Sequence, residues 1–160
     1  MKIYVASSWR NNEQPRIVKR LRELGHDVYD FKNPPGKTSF GWAQTALGKP
    51  ERPSELVLSL EDRRCVAGFE EDMRHLRECD ACVFVAPAGL SASLELGFAV
   101  GAGKLTIIYA PDDAYDERGL DSRGRPFEPE LMWKMADLLF TRFEQLEFAL
   151  TPGALQSGEA

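Results

Sequence analysis

Ser91-Ala92-Ser93-Leu94-Glu95-Leu96-Gly97-Phe98-Ala99-Val100-Gly101-Ala102-Gly103-Lys104 is the stretch on which the reading of this chain turns. An apolar run, residues 81–86, and a Pro87-Ala88-Gly89 turn precede it, and a second apolar run, 105–110, follows. The succession reads as strand, turn, helix, strand. It predicts a helix over residues 91–102, with Ser91 as its N-cap and Glu95 in its first turn. An acid in that place lies where an open α/β sheet binds its ligand.

The same alternation extends in both directions. Residues 2–6 read as a strand and 14–24 as a helix, with Ile17, Val18, Leu21 and Leu24 at helical spacing and Gly25 as the stop. A second strand is expected over 27–31. Residues 32–53 hold four of the ten prolines and are too long for a routine connector, so they read as a binding loop, a lid or a mobile insert. Helical patterns return over 54–61 and 66–78. Beyond the fourth strand, 105–109, come a charged loop (112–125), a helix (130–138), a short strand (139–141) and a last helix (143–150). Residues 151–160 are expected to fray. The fold class is therefore α/β: one domain, residues 1–150, with a flavodoxin- or Rossmann-like open parallel sheet of about five strands and helices on both faces.

Composition narrows the function. A chain of 160 residues with 43% hydrophobic content fills a single core. The net charge of -5 argues against stable binding to nucleic-acid backbone. No apolar run approaches a membrane span, and no signal peptide is read at the N-terminus. Three cysteines without metal spacing and two isolated histidines suit a reduced, cytoplasmic setting and no metal or cofactor. No dinucleotide or triphosphate glycine motif is present.

Ligand contacts are expected from the loops beyond the strand ends. Candidates there are Ser7, Ser8, Trp9, Arg10 and Asn11 after the first strand, Phe31 at the second, and Gly89, Ser91 and Ser93 after the third. Arg10 beside a loop of donors suits a phosphate. His26 reads as a helix-end histidine, and His75 as a surface residue that could tune Asp72.

Tyr4, Asp72 eight residues before Asp80, and Glu95-Leu96-Gly97-Phe98-Ala99 running to Gly103-Lys104 resemble the nucleoside 2-deoxyribosyltransferase superfamily, which includes the deoxynucleoside 5'-monophosphate N-glycosidases. Ala6-Ser7-Ser8-Trp9-Arg10-Asn11, residues 30–36 and Glu128-Pro129-Glu130-Leu131-Met132 look like a bacterial and phage subgroup. The resemblance implies cleavage or transfer at the bond between a sugar and its base. In it Glu95 is the nucleophile that forms a glycosyl ester, Asp72 the acid that helps the base leave, and Tyr4 the hydroxyl that orients the nucleophile. It further implies a small nucleoside or nucleotide as partner and a homodimer or larger homo-oligomer. Residues 128–135, Met132 among them, are candidates to complete a neighbour's pocket. Transferases of the family carry an acid shortly before the glutamate. Here Ala88-Gly89-Leu90-Ser91-Ala92-Ser93 stands instead, and its serines tilt the expectation toward a 5'-monophosphate.

Each residue has a plainer reading. An acid at a helix start complements the dipole, Asp72 lies in an acidic run, and Tyr4 alternates with sheet-packing neighbours. A non-catalytic nucleotide-binding or sensing module on the same fold, and an enzyme of phage-related modified-nucleotide metabolism, are the alternatives.

Overall fold

The computed structural model describes residues 1–153, so most of the expected frayed tail lies outside the described residues. Five strands form one parallel sheet in the order β2-β1-β3-β4-β5: β1 (Lys2–Ala6), β2 (Asp27–Tyr29), β3 (Ala81–Val85), β4 (Leu105–Tyr109) and β5 (Leu138–Phe140). This is the flavodoxin-like order, in which the chain reverses direction across the sheet between β1 and β3. The strands are mostly apolar because helices cover both faces, and β3 is buried at every position.

On one face α1 (Glu13–Glu23) and α5 (Phe143–Leu150) pack Ile17, Val18, Leu21, Leu146 and Leu150 against Ile3, Val5, Val83 and Ile107. On the other, α3 (Arg63–Glu78) and α4 (Leu90–Gly101) pack Leu76, Ala92, Leu96 and Ala99 against Tyr4, Cys82, Phe84 and Ile108. The alternation of β1 thus sends Ile3 and Val5 to one layer and Tyr4 to the other. His26 is more than a helix-end residue. It is buried, and its Nε2 meets the Leu150 carbonyl, tying the end of α5 to the β1–β2 edge.

Several elements differ from expectation. β2 stops at Tyr29 because the buried Asp30 carboxylate turns the chain, accepting from Lys32 N at 3.0 Å, Asn33 Nδ2 at 2.9 Å and Gln14 Nε2 at 2.8 Å. α3 starts three residues early, at Arg63, where Asp62 caps Arg64 N at 2.8 Å. The helix expected over 130–138 is only a 3-10 turn, Leu131–Met135. Asp137 explains it: its carboxylate accepts from Thr106 N (2.8 Å) and Oγ1 (2.7 Å), which draws the chain out into β5 one residue earlier than expected. α4 begins at Leu90 with Gly89 as N-cap, so Ser91 is an exposed helical residue and not the cap. Glu95 therefore lies in the second turn, beyond the reach of the dipole effect inferred for it.

Residues 32–53 contain a 3-10 turn, Trp42–Gln44, and are fastened to α3. Lys37 Nζ bonds Glu71 (2.7 Å), Arg64 bonds the Gln44 carbonyl (2.7 Å), and Asp62 accepts from Ala46 N (2.8 Å). Phe40 lies over Gly68, where an added Cβ would come within 3.2 Å of it. This glycine lets the loop approach the helix. α2 (Pro53–Ser59), with Pro53 at its start, joins the loop to α3.

Candidate functional site

The register of the sheet puts Tyr4 of β1 directly opposite Tyr29 of β2 on one side and Cys82 of β3 on the other. The two tyrosine rings lie 5.5 Å apart with 29° between their planes. Tyr29 also stacks on His75 of α3, at 3.8 Å and 15°. The Tyr29 hydroxyl donates to Asp72 Oδ1 at 2.7 Å. Asp72 and His75 come from one turn of α3, and Glu95 reaches the same layer from α4. Tyr4, Asp72 and Glu95 are thereby brought together on the α3–α4 face, close enough for their charges to act on one another.

Glu95 has its carboxyl pushed up to about 7, chiefly by burial and then by the charge of Asp72, against a smaller opposing pull from the Tyr4 hydroxyl. Asp72 is also raised, by burial first, with the Tyr29 hydrogen bond opposing and Glu71 adding to the rise. Tyr4 is held firmly protonated by burial and by the two carboxylates. Its buried hydroxyl meets no hydrogen-bond partner within reach among the described residues, although its field is felt at Glu95. Unpartnered buried hydroxyls are uncommon, and this one belongs to a residue beside two acids. Coupled in this way, the two carboxyls share a proton up to about neutral pH.

Two cavities flank this cluster. One, of about 450 Å³, opens between α3 and residues 32–53, and Asp72, Tyr29, Phe40, Gln44, Arg64 and Glu71 are among its walls. The other, of about 270 Å³, lies at the start of α4 and is lined by Ser93, Phe84, Trp133, Arg125 and the acids Asp121, Glu128 and Glu130. Arg125 there is already paired with the buried Asp121, at 2.7 Å. Glu95 lines neither cavity.

The loop candidates divide. Ser7 Oγ bonds the Val85 carbonyl (2.9 Å), and Asn11 Nδ2 bonds the carbonyls of Val85 (3.1 Å) and Pro87 (3.2 Å), so both side chains stitch the end of β1 to the end of β3. Ser8 Oγ accepts from Arg10 N at 3.3 Å. Trp9 is half exposed and meets Phe31 edge-on at 5.1 Å. Arg10 is exposed at the same edge. Gly89 caps α4, and Ser93 Oγ bonds the Gly89 carbonyl at 3.4 Å. Met132 is 64% exposed and lines neither cavity. His75 is half-buried and bonded to Glu71 at 3.1 Å, so its side chain is not free on the surface.

Sequence reasoning missed Tyr29. The signal was there: Tyr4 and Tyr29 are each the third residue of adjacent strands, and an in-register parallel pair must set them side by side. Gln44 and Arg64, which line the same cavity as Asp72, carried no such signal.

No family profile matches the chain, and no curated protein matches its sequence. Solved structures do match its fold. The 2-deoxyribosyltransferase of Bacillus psychrosaccharolyticus aligns over 92% of this chain and 90% of its own, at 20% identity and TM-score 0.59. A conserved protein of Enterococcus faecalis V583 aligns over 94% and 96%, at 14% identity and TM-score 0.59. The CMP N-glycosidase BcmB of Clostridium botulinum aligns over 92% and 96%, at 12% identity and TM-score 0.46, too distant to bear on function. The chain has the five-stranded α/β fold found in the Bacillus 2-deoxyribosyltransferase, along nearly the whole length of both.

Proposed function

We propose that this protein cleaves, or transfers across, the N-glycosidic bond of a nucleoside, with Glu95 as nucleophile and Asp72 as acid. The observation that carries the reading is the pair of half-buried carboxyls with raised pKa values beside a buried, unpartnered tyrosine hydroxyl. The likeness in fold to a 2-deoxyribosyltransferase supports it.

The chemistry follows from the pair. A Glu95 oxygen bonds C1' of the sugar as the C1'–N bond breaks. The bonding electrons leave with the base nitrogen, and the Asp72 proton is delivered to the base. Water, or a second base, then attacks C1' and expels the Glu95 carboxylate, and Asp72 takes up the proton released. The base departs into the larger cavity, on which Asp72 opens and where Phe40 and Gln44 offer a ring and an amide. Burial raises both carboxyls, and the reaction needs the proton on Asp72 with Glu95 ionised. Tyr4 is placed to help, since a hydroxyl that donates to Glu95 favours the ionised form.

The serines before Glu95 suggested a 5'-monophosphate. Their surroundings favour a nucleoside instead. The cavity beside Ser93 presents three carboxylates and one arginine that is already paired, which is a poor place for a phosphate dianion.

The protomers pair through α2, α3 and α4. Val57, Leu58, Leu60, Phe69, Leu90 and Leu94 are each about half exposed or more. Together with their apolar neighbours they form a face that a second copy of the chain would cover. α4 is apolar both toward the sheet and away from it, the pattern of a helix covered on two sides. Residues 128–135, with Leu131 and Met132 standing out into solvent, are open to a neighbour's site. The three free, buried thiols suit the cytoplasm. Among the described residues no helix is long and apolar enough to cross a membrane.

Incubation with a panel of ribo- and deoxyribonucleosides, and their 5'-monophosphates, tests the proposal by the appearance of free base. Release that disappears in Glu95→Ala is the expected result. Binding without release by the native protein would make this a nucleotide-binding module.

A further inference from the structure

Asp72 has two carboxyl oxygens and only one is held. Oδ1 accepts the Tyr29 hydroxyl at 2.7 Å, and no second hydrogen bond to this carboxyl is made among the described residues. Tyr29 itself is fixed by three contacts. Its backbone is paired with β1, and its ring is stacked against Tyr4 at 5.5 Å and against His75 at 3.8 Å. His75 is fixed in turn, with Nε2 at 3.1 Å from Glu71, and Glu71 is bridged to Lys37 and Arg74 at 2.7 and 2.8 Å. The stack therefore runs from Tyr4, beside Glu95, through Tyr29 to a surface ion-pair cluster. Tyr29 is 7% exposed and its hydroxyl is used by no other partner.

We propose that Tyr29 is a positioning residue for the reaction: its hydroxyl occupies Asp72 Oδ1 and so confines the transferable proton to Oδ2, the oxygen left free to meet the departing base. The inference rests on the glycosidic reading of Glu95 and Asp72 and adds the residue that orients the acid. A phenol donates one hydrogen. While it donates to Oδ1, that oxygen acts as acceptor whether or not the carboxyl is ionised, and a proton arriving at Asp72 has only Oδ2 to occupy. The ring stack keeps the Tyr29 hydroxyl in place, so a turn of the carboxyl only exchanges two equivalent oxygens: the one facing Tyr29 accepts and the other carries the proton. The same bond also stabilises the carboxylate form of Asp72.

Tyr29→Phe tests this, because it removes the hydroxyl and keeps the ring stacked on Tyr4 and His75. Two readouts apply. The first is a carbon-13 NMR titration of the Asp72 carboxyl, whose midpoint should rise in the variant once the donor is gone. The second is turnover of a natural nucleoside against 4-nitrophenyl 2-deoxyriboside, whose leaving group departs without a proton. The variant should lose about tenfold in kcat on the nucleoside with KM little changed, and nothing on the aryl glycoside. A merely structural Tyr29 would lower both rates together. An unshifted Asp72 midpoint, or equal losses on the two substrates, overturns the inference while leaving the glycosidic reading in place. A native protein that releases no base from any nucleoside overturns both.

Discussion

Replacing Glu95 with glutamine measures what its burial costs the fold. Glutamine keeps the shape and removes the charge. The carboxyl pKa of Glu95 stands at about 7 in the folded protein, against an ordinary 4.5. One pKa unit is 1.36 kcal/mol, so the ionised side chain weakens the folded state by about 3 kcal/mol at high pH. The sign follows from the direction of the shift. Below pH 4.5 the group is neutral in both states and costs nothing. Between 4.5 and 7 the unfolded chain ionises first, and stability declines as pH rises. Above 7 the full cost is present. Glu95→Gln should therefore raise the unfolding temperature at pH 8.5, by roughly 6–12 °C for a domain of this size. The gain should shrink toward zero at pH 4.5, and the same variant should release no base. Thermal unfolding followed by circular dichroism at both pH values is the assay. A variant that is equally or less stable at pH 8.5, or whose gain persists at pH 4.5, would refute the claim that Glu95 is a buried, desolvated acid.

Three further outcomes are expected. The kcat/KM of base release should fall as pH rises through about 7, where the carboxyl pair loses the proton that the departing base requires; a flat profile from pH 5 to 8 would argue against departure assisted by this pair. Leu94→Glu places a charge on the exposed face of α4, where Leu94 is 76% accessible, and light scattering should then show a monomer of unchanged secondary structure. Gly68→Ala puts a methyl group 3.2 Å from Phe40. It should push the Phe40 wall outward and raise KM several-fold at nearly constant kcat; an unchanged KM would remove Phe40 from the site.

Much of the architecture could be read from local patterns. The apolar runs at 81–86 and 105–110 became β3 and β4, and the spacing of Ile17, Val18 and Leu21 gave α1 its buried face. What escaped depended on contacts between distant residues. The turn at 131–135 is not a helix because Asp137 is drawn to Thr106, 31 residues away. β2 ends early because Asp30 gathers donors from three places. Within the site, the meeting of Tyr4, Asp72 and Glu95 on one face agrees with the resemblance, while the roles assigned to them await experiment. The bond from Tyr29 to Asp72 joins β2 to a helix 43 residues on, and spacing within either element says nothing of it.

The two acids stand on α3 and α4, which are held by the sheet, while residues 32–53 and 115–133 each supply one side of the cavities beside them. Under the proposed function, bond-breaking would rest on the helices and recognition in part on these loops. Substitutions, insertions or deletions in either loop can change which base or sugar is admitted without moving the carboxyls that would act on it. A library confined to those two segments is accordingly the economical route to altered specificity, and natural divergence in this fold has the same route open to it.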